Sequence, residues 1–109
     1  IFGKWLNSWE RQRIMNKKII ENAKKTLIRN RRSKYTLPTN TKLYPAQWNW
    51  DSAFIALGYS NFNLNYSFKE IETLLSGQWR DGMVPHILFH KKDINYTPNY
   101  KAWNCGKKV

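Results

Sequence analysis

Residues Tyr44-Pro45-Ala46-Gln47-Trp48-Asn49-Trp50-Asp51 set two tryptophans around one amide, with a carboxylate immediately after. Flat apolar rings stack on the C–H faces of a pyranose, and a fixed carboxylate accepts hydrogen bonds from its hydroxyls. Gln47 and Asn49 add neutral amides that both donate and accept. Aromatic, amide and carboxylate in one short stretch are the chemistry of a carbohydrate subsite. A plainer reading stands beside it. The tryptophans belong to a core, and Asp51 occupies a first helical turn, where the dipole favours an anion. On a helix Trp50 and Asp51 point in different directions, so the pair would line two sides of one corner.

Two further clusters carry polar chemistry. Gln78-Trp79-Arg80-Asp81-Gly82 repeats the aromatic-amide combination, and it also reads as a helix end followed by a turn. His86 and His90 are four apart, a spacing that a helix would bring to one face. That spacing suits a metal pair, but no glutamate follows His86 as in a zincin and no third ligand is evident. Neutral histidines bonding to substrate hydroxyls, or to a neighbouring loop, fit the residues better, so no metal and no cofactor is expected. Serine- and cysteine-nucleophile patterns and glycine-rich phosphate loops are absent. Cys105, the only cysteine, sits in a lysine-rich tail and is given no role. It excludes an intrachain disulfide and is compatible with the cytoplasm, the favoured compartment.

The elements that must position these residues are helical. Ile19, Ile20, Ala23 and Leu27 share one stripe of a helix expected from about Trp9 to Arg31, with Trp9 projecting onto it and Ser8 as its N-cap. That stripe is expected to pack on a core. Tyr35 to Pro45 reads as a connector, with Pro38 and Pro45 opposing a helix and Thr39-Asn40-Thr41 turn-like. A second helix is expected from Trp50 to Leu57, stopped by Gly58. Being apolar nearly all round, it should be buried. A third runs from about Asn63 to just before Gly77, with Leu64, Phe68, Ile71 and Leu75 on one stripe. Asn63 is its cap, and Ser67 with Glu70 forms a rival capping box. Met83 to His90 is a short helix or an ordered loop, and no strand alternation is evident.

The 109 residues are the size of one modest domain, and the net charge of +12 raises a nucleic-acid or anionic-membrane partner. The cations fall mostly between Arg11 and Lys34 and between Lys91 and Lys108, as solvated faces and tails would. Abundant lysine, asparagine and isoleucine also fit AT-rich coding. No run of 18 apolar residues is present to form a membrane-spanning helix. Ile1 to Trp5 is no signal peptide. A start at Ile1, an end at Val109 and a helix with more apolar faces than three helices can cover suggest an interior piece of a longer protein.

Leu43 to Asp51, Ser52 to Gly58, Ser76-Gly77-Gln78-Trp79 and Gly82-Met83-Val84-Pro85-His86-Ile87-Leu88-Phe89-His90 together resemble the N-terminal part of the catalytic domain of family 63 glycoside hydrolases. The likeness is to the mannosylglycerate hydrolase and α-glucosidase-like branch, and it spans about Arg31 to His90. Trehalases and glucoamylase-like enzymes are similar more loosely, through the Trp-Asp pair. The resemblance implies an all-α fold, part of an (α/α)6 toroid whose inner helices carry the sugar pocket. It implies inverting hydrolysis by a carboxylic acid and a carboxylate with a water between them. In the family those two groups come from later helices, so they are expected beyond Val109 and no catalytic residue is assigned here. Asp51 matches the family carboxylate that binds sugar hydroxyls. The family's Tyr-Phe-Pro-Gly-Pro-like stretch is replaced by Tyr96-Thr97-Pro98-Asn99-Tyr100.

The reading is an N-terminal fragment, residues 1–109, of a glycosidase acting on α-glucosyl or α-mannosyl substrates. Tyr44, Gln47, Trp48, Trp50 and Asp51 would shape the sugar subsite, and Gln78, His86 and His90 would flank it. Carbohydrate is the expected partner, with no specific nucleic acid and no membrane. A small basic helical nucleic-acid-binding protein is the rival, and a noncatalytic carbohydrate-binding protein is a third option. The rival places exposed aromatics beside the basic helix.

Overall fold

A computed structural model of the chain describes residues 5–39, 43–91, 96–98, 101–102 and 104. The expected turn at Asn40 and Thr41 lies outside these residues, as do Asn99, Tyr100 and Cys105. In chain order the elements are α1 (Ser8–Asn30), β1 (Gln47–Trp48), α2 (Asn49–Ser60), α3 (Leu64–Leu75) and β2 (Ile87–Leu88). Among the described residues the fold is all-α apart from an isolated Arg31–Thr36 bridge and the strands β1 and β2, which pair antiparallel with Gln47 opposite Leu88 and Trp48 opposite Ile87. That pairing was not legible in the sequence, because two residues per strand leave no alternation to see.

Helix α1 starts one residue earlier than expected, and its cap is Asn7 rather than Ser8. The Asn7 side chain accepts from the Glu10 amide at 2.8 Å, and the Glu10 carboxylate accepts from the Asn7 amide at 3.0 Å. This capping box satisfies two amides that a helix start leaves open. The expected core stripe of α1 is not buried. Trp9, Ile19 and Ile20 are exposed, Leu27 is half-buried, and Asn30 is the helix's one buried residue. The cause is length. At about 1.5 Å per residue, 23 residues reach roughly twice as far as the 12-residue helices α2 and α3. Only the C-terminal turns of α1 meet α2. There the Tyr59 hydroxyl donates to the Leu27 carbonyl at 2.9 Å, and an added Cβ on Gly58 would lie 3.0 Å from Leu27 Cδ1. Gly58 therefore does not stop α2. It lies inside the helix, where it admits α1 closely, and Asn61 caps the end.

Helices α2 and α3 pack on each other through unexpected faces. Ser52, Ala56 and Tyr59 of α2 are buried, while Trp50, Phe54 and Leu57 stand exposed. The all-round apolar character of α2 therefore does not bury it within this chain. On α3 the buried residues are Glu70, Thr73 and Leu74, and the apolar stripe of Leu64, Phe68 and Leu75 faces outward with Ile71 half-buried. Asn63 caps α3 by accepting from the Tyr66 amide at 3.1 Å. The rival box is not formed, since the Ser67 hydroxyl donates to the Ala56 carbonyl at 2.7 Å and Glu70 turns inward.

The connector closes the third side. Its Tyr35, Thr36 and Leu37 are buried, and the Leu37 amide donates to the Asn30 carbonyl at 3.1 Å. The Thr73 hydroxyl donates to the Lys34 carbonyl at 2.9 Å. The Arg31 guanidinium lies 3.8 Å from the centre of the Tyr66 ring, a cation–π contact joining the end of α1 to α3.

Candidate functional site

The polar residues of the Gln47 to Ser52 stretch divide into those held by the protein and one left open. Gln47 is fully buried. Its Nε2 donates to the Glu70 carbonyl at 2.9 Å and to Glu70 Oε1 at 3.1 Å. Its Oε1 meets His90 Nε2 at 2.9 Å. Asn49 is anchored twice, by its amide to the His86 carbonyl at 2.9 Å and by Nδ2 to the Pro85 carbonyl at 3.3 Å. The Ser52 hydroxyl donates to Glu70 Oε1 at 2.9 Å. Asp51, half-buried in the first turn of α2, has no hydrogen-bond or ion-pair partner among the described residues.

The two tryptophans take opposite roles. Trp48 is only 8% exposed, edge-on to Tyr44 with centroids 5.1 Å apart and edge-on to Tyr96 at 5.6 Å. Phe89 extends this cluster to Tyr96 at 5.5 Å. Trp50 is 70% exposed, tilted against Phe54 at 5.4 Å. A free indole face therefore stands next in sequence to an unpartnered carboxylate.

His86 and His90 do not share a helix face. The segment between them is loop and β2, and extended backbone separates their side chains. The His86 side chain is exposed, and its carbonyl serves Asn49. The His90 ring stacks on Tyr35 with centroids 3.8 Å apart. Burial against this wall lowers the His90 pKa first, and the Lys34 charge adds to the effect, so the ring is neutral at neutral pH. Gln47 spends its amide hydrogens on Glu70, so it offers His90 only an acceptor. Neutral His90 must therefore carry its proton on Nε2. Gln78 donates from Nε2 to the Gly82 carbonyl at 2.8 Å, which closes its own turn. The turn at Asp81-Gly82 is as expected, with Asp81 accepting from the Met83 amide at 3.0 Å and Gly82 at a φ of 93°.

Sequence reasoning missed the centre of this arrangement, Glu70. Its side chain is fully buried, and burial pushes its carboxyl above the usual range, against the opposing influence of the neighbouring Ser52, Thr36 and Gln47. Oε2 has no partner of hydrogen-bonding geometry. Glu70, Thr73, Leu74 and Gly77 fall at i, i+3, i+4 and i+7, and that second stripe was the available signal. Among the described residues no group of three or more His, Cys, Asp or Glu could hold a metal ion. None of their helices is long and apolar enough to cross a membrane.

Residues 44–109 match the family described as the mannosylglycerate hydrolase MGH1-like glycoside hydrolase domain. The chain belongs to this glycoside hydrolase family. It is 42% identical over 94 residues to mannosylglycerate hydrolase MGH1 of Selaginella moellendorffii, covering 86% of this chain and 19% of that protein. It is 44% identical over 61 residues to a glucosylglycerate hydrolase of Mycolicibacterium hassiacum, covering 56% of this chain and 14% of that one. The crystal structure of the GH63 mannosylglycerate hydrolase from Thermus thermophilus, in complex with Tris and D-glycerate, superposes with a TM-score of 0.68 at 43% identity. The superposition covers 73% of this chain and 20% of that enzyme. The helices described above are thus part of an (α/α)6 toroid. The chain spans about a fifth of the length of these hydrolases.

Proposed function

We propose that the protein carrying this segment is an inverting glycosidase that cleaves an α-mannosyl or α-glucosyl bond, with mannosylglycerate or glucosylglycerate as substrate. The segment supplies the wall of the sugar subsite, and the acid and base come from elsewhere in the protein. One observation carries the assignment. Within the Gln47 to Ser52 stretch, Gln47, Asn49 and Ser52 are all bonded to protein, whereas Asp51 is unpartnered next to the exposed Trp50. A carboxylate left free beside an open indole face can take sugar hydroxyls while the ring packs on the sugar's C–H face.

The other expected residues take graded parts in this reading. Tyr44 and Trp48 form the aromatic backing, with the partly exposed Tyr44 edge within reach of a ligand. His86, open to solvent, flanks the sugar. Gln47 and His90 hold the wall in place, and Gln78 shapes its rim through the turn it closes. Apart from Trp50, the exposed apolar side chains of α2 and α3, Phe54, Leu57, Leu64 and Phe68 among them, would be covered by further helices of the toroid. The reaction keeps its balance in the ordinary way. The acid protonates the leaving oxygen, the base takes a proton from water, and that water attacks the anomeric carbon from the opposite side.

A nucleic-acid reading has one observation in its favour. Trp9, 84% exposed, stands beside the exposed Arg11 and Arg13 on α1. The two readings separate in one set of assays on the full-length protein. The glycosidase reading expects release of hexose from mannosylglycerate or glucosylglycerate. It also expects DNA or RNA binding that collapses between low and physiological salt without sequence preference. No hydrolysis of either glycoside, with a sequence-selective complex at physiological salt, would replace it by the nucleic-acid reading.

A further inference from the structure

Glu70 sits at the meeting point of four segments, and its contacts are not scattered. Its Oε1 accepts from the Gln47 amide at 3.1 Å and from the Ser52 hydroxyl at 2.9 Å. Those two donors bracket Trp48-Asn49-Trp50-Asp51, one on each side. The Glu70 backbone carbonyl takes the second hydrogen of the same Gln47 amide at 2.9 Å. A single carboxyl oxygen thus ties together both ends of the stretch that carries the exposed indole and the unpartnered carboxylate. Asn49, in the middle, is pinned separately to Pro85 and His86.

Resting on the function proposed above, we infer that Glu70 is the positioning residue of the sugar wall: its Oε1 clamps Gln47 and Ser52 and so fixes Trp50 and Asp51 relative to Trp48. Glu70 is fully buried and reaches no ligand itself. A purely structural carboxyl would be expected to tie neighbouring elements anywhere along their length. This one takes the residues just before and just after the motif. The junction it holds is also where β1 becomes α2, and Trp48 in the N-cap position has no side chain capable of capping that helix. The clamp holds the entry strand and the first turn at a fixed angle. It extends on through Gln47 to His90, whose Nε2–H is donated to the Gln47 oxygen.

The test compares Glu70→Leu, Glu70→Gln and Ser52→Ala in the full-length protein labelled with 5-fluorotryptophan. The readouts are kcat and KM on mannosylglycerate and glucosylglycerate well below Tm, and the 19F signals of Trp48 and Trp50. Glu70→Leu should move both 19F signals and lower kcat/KM by about tenfold or more, with KM raised. Glu70→Gln keeps an acceptor oxygen for both donors and should recover most of that loss. Ser52→Ala removes one donor and should fall between. A folded Glu70→Leu protein with unmoved signals and unchanged kcat/KM overturns the clamp. If Glu70→Leu does not fold, Ser52→Ala decides, and unmoved signals there overturn the clamp equally. If the wild-type protein hydrolyses neither glycoside, the function proposed above fails on its own, and the 19F signals still decide the clamp.

Discussion

Asp51→Asn separates a sugar-binding carboxylate from one that merely favours a helix start. The Asp51 side chain has no partner among the described residues, so the substitution breaks no side-chain hydrogen bond within them. This segment loses only the favourable placement of a charge in the first turn of α2, worth about 0.3–1 kcal/mol. The bound sugar loses more. A hydrogen bond to a charged group is worth roughly 1.5–3 kcal/mol, and more if it tightens in the transition state. At the upper end, one such bond corresponds to a factor of about a hundred in kcat/KM. We therefore expect Asp51→Asn in the full-length protein to lower kcat/KM on its glycoside by at least about a hundredfold. Tm should move by no more than a few degrees. Steady-state kinetics and thermal unfolding by circular dichroism measure the two sides. Near-wild-type turnover would reduce Asp51 to a helix-dipole residue, and a collapse of Tm with activity intact per folded molecule would make it structural.

Tyr59→Phe removes the hydroxyl that donates to the Leu27 carbonyl and meets Thr36 Oγ1 at 3.2 Å, the tie between α1 and the connector. A loss of about 1–3 kcal/mol in denaturant unfolding is expected, and an unchanged midpoint would show that α1 docks without it. Burial raises the Glu70 pKa, so the folded state holds its proton more tightly than the unfolded chain, and the resulting stability is complete below the unfolded pKa. Stability should then fall as pH rises from the unfolded value through the folded one, by up to about 1.4 kcal/mol per unit, and Glu70→Gln should lack this slope in urea titrations across pH. The 109-residue chain expressed by itself leaves Phe54, Leu57, Leu64 and Phe68 in water, and each large apolar side chain uncovered forfeits roughly 1.5–3 kcal/mol. It should be helical, loosely packed, aggregation-prone and without hydrolytic activity, whereas a sharp cooperative transition in a soluble monomer would contradict this.

The helices were legible because their signals are local. Asn63 before an apolar period gave the start of α3, and the stretch after Pro45 gave α2 to within a few residues. What burial does to each face was not legible. The most apolar stripes, Ile19 with Ile20 on α1 and Leu64 with Phe68 on α3, face outward, while Glu70, Ser52 and Gln47 fill the interior. An apolar stripe says only that some surface must cover it, and not that the surface belongs to the same segment. Gly58 misled for a related reason: a glycine that ends a helix and one that admits a neighbouring helix look alike in sequence. At the candidate site, residue types singled out the Tyr44 to Asp51 stretch but could not sort its members. Which amide is consumed by a buried carboxyl and which carboxylate is left free depends on a partner 18 to 23 positions away.

The most direct test of the sugar wall is a crystal structure of the full-length protein, inactivated at its catalytic carboxylates, with mannosylglycerate or glucosylglycerate bound. The expected result is a hexose with a hydroxyl within about 3 Å of the Asp51 carboxylate and its ring packed on the Trp50 indole. A hexose bound elsewhere, with Asp51 and Trp50 covered by protein or left in solvent, would contradict it.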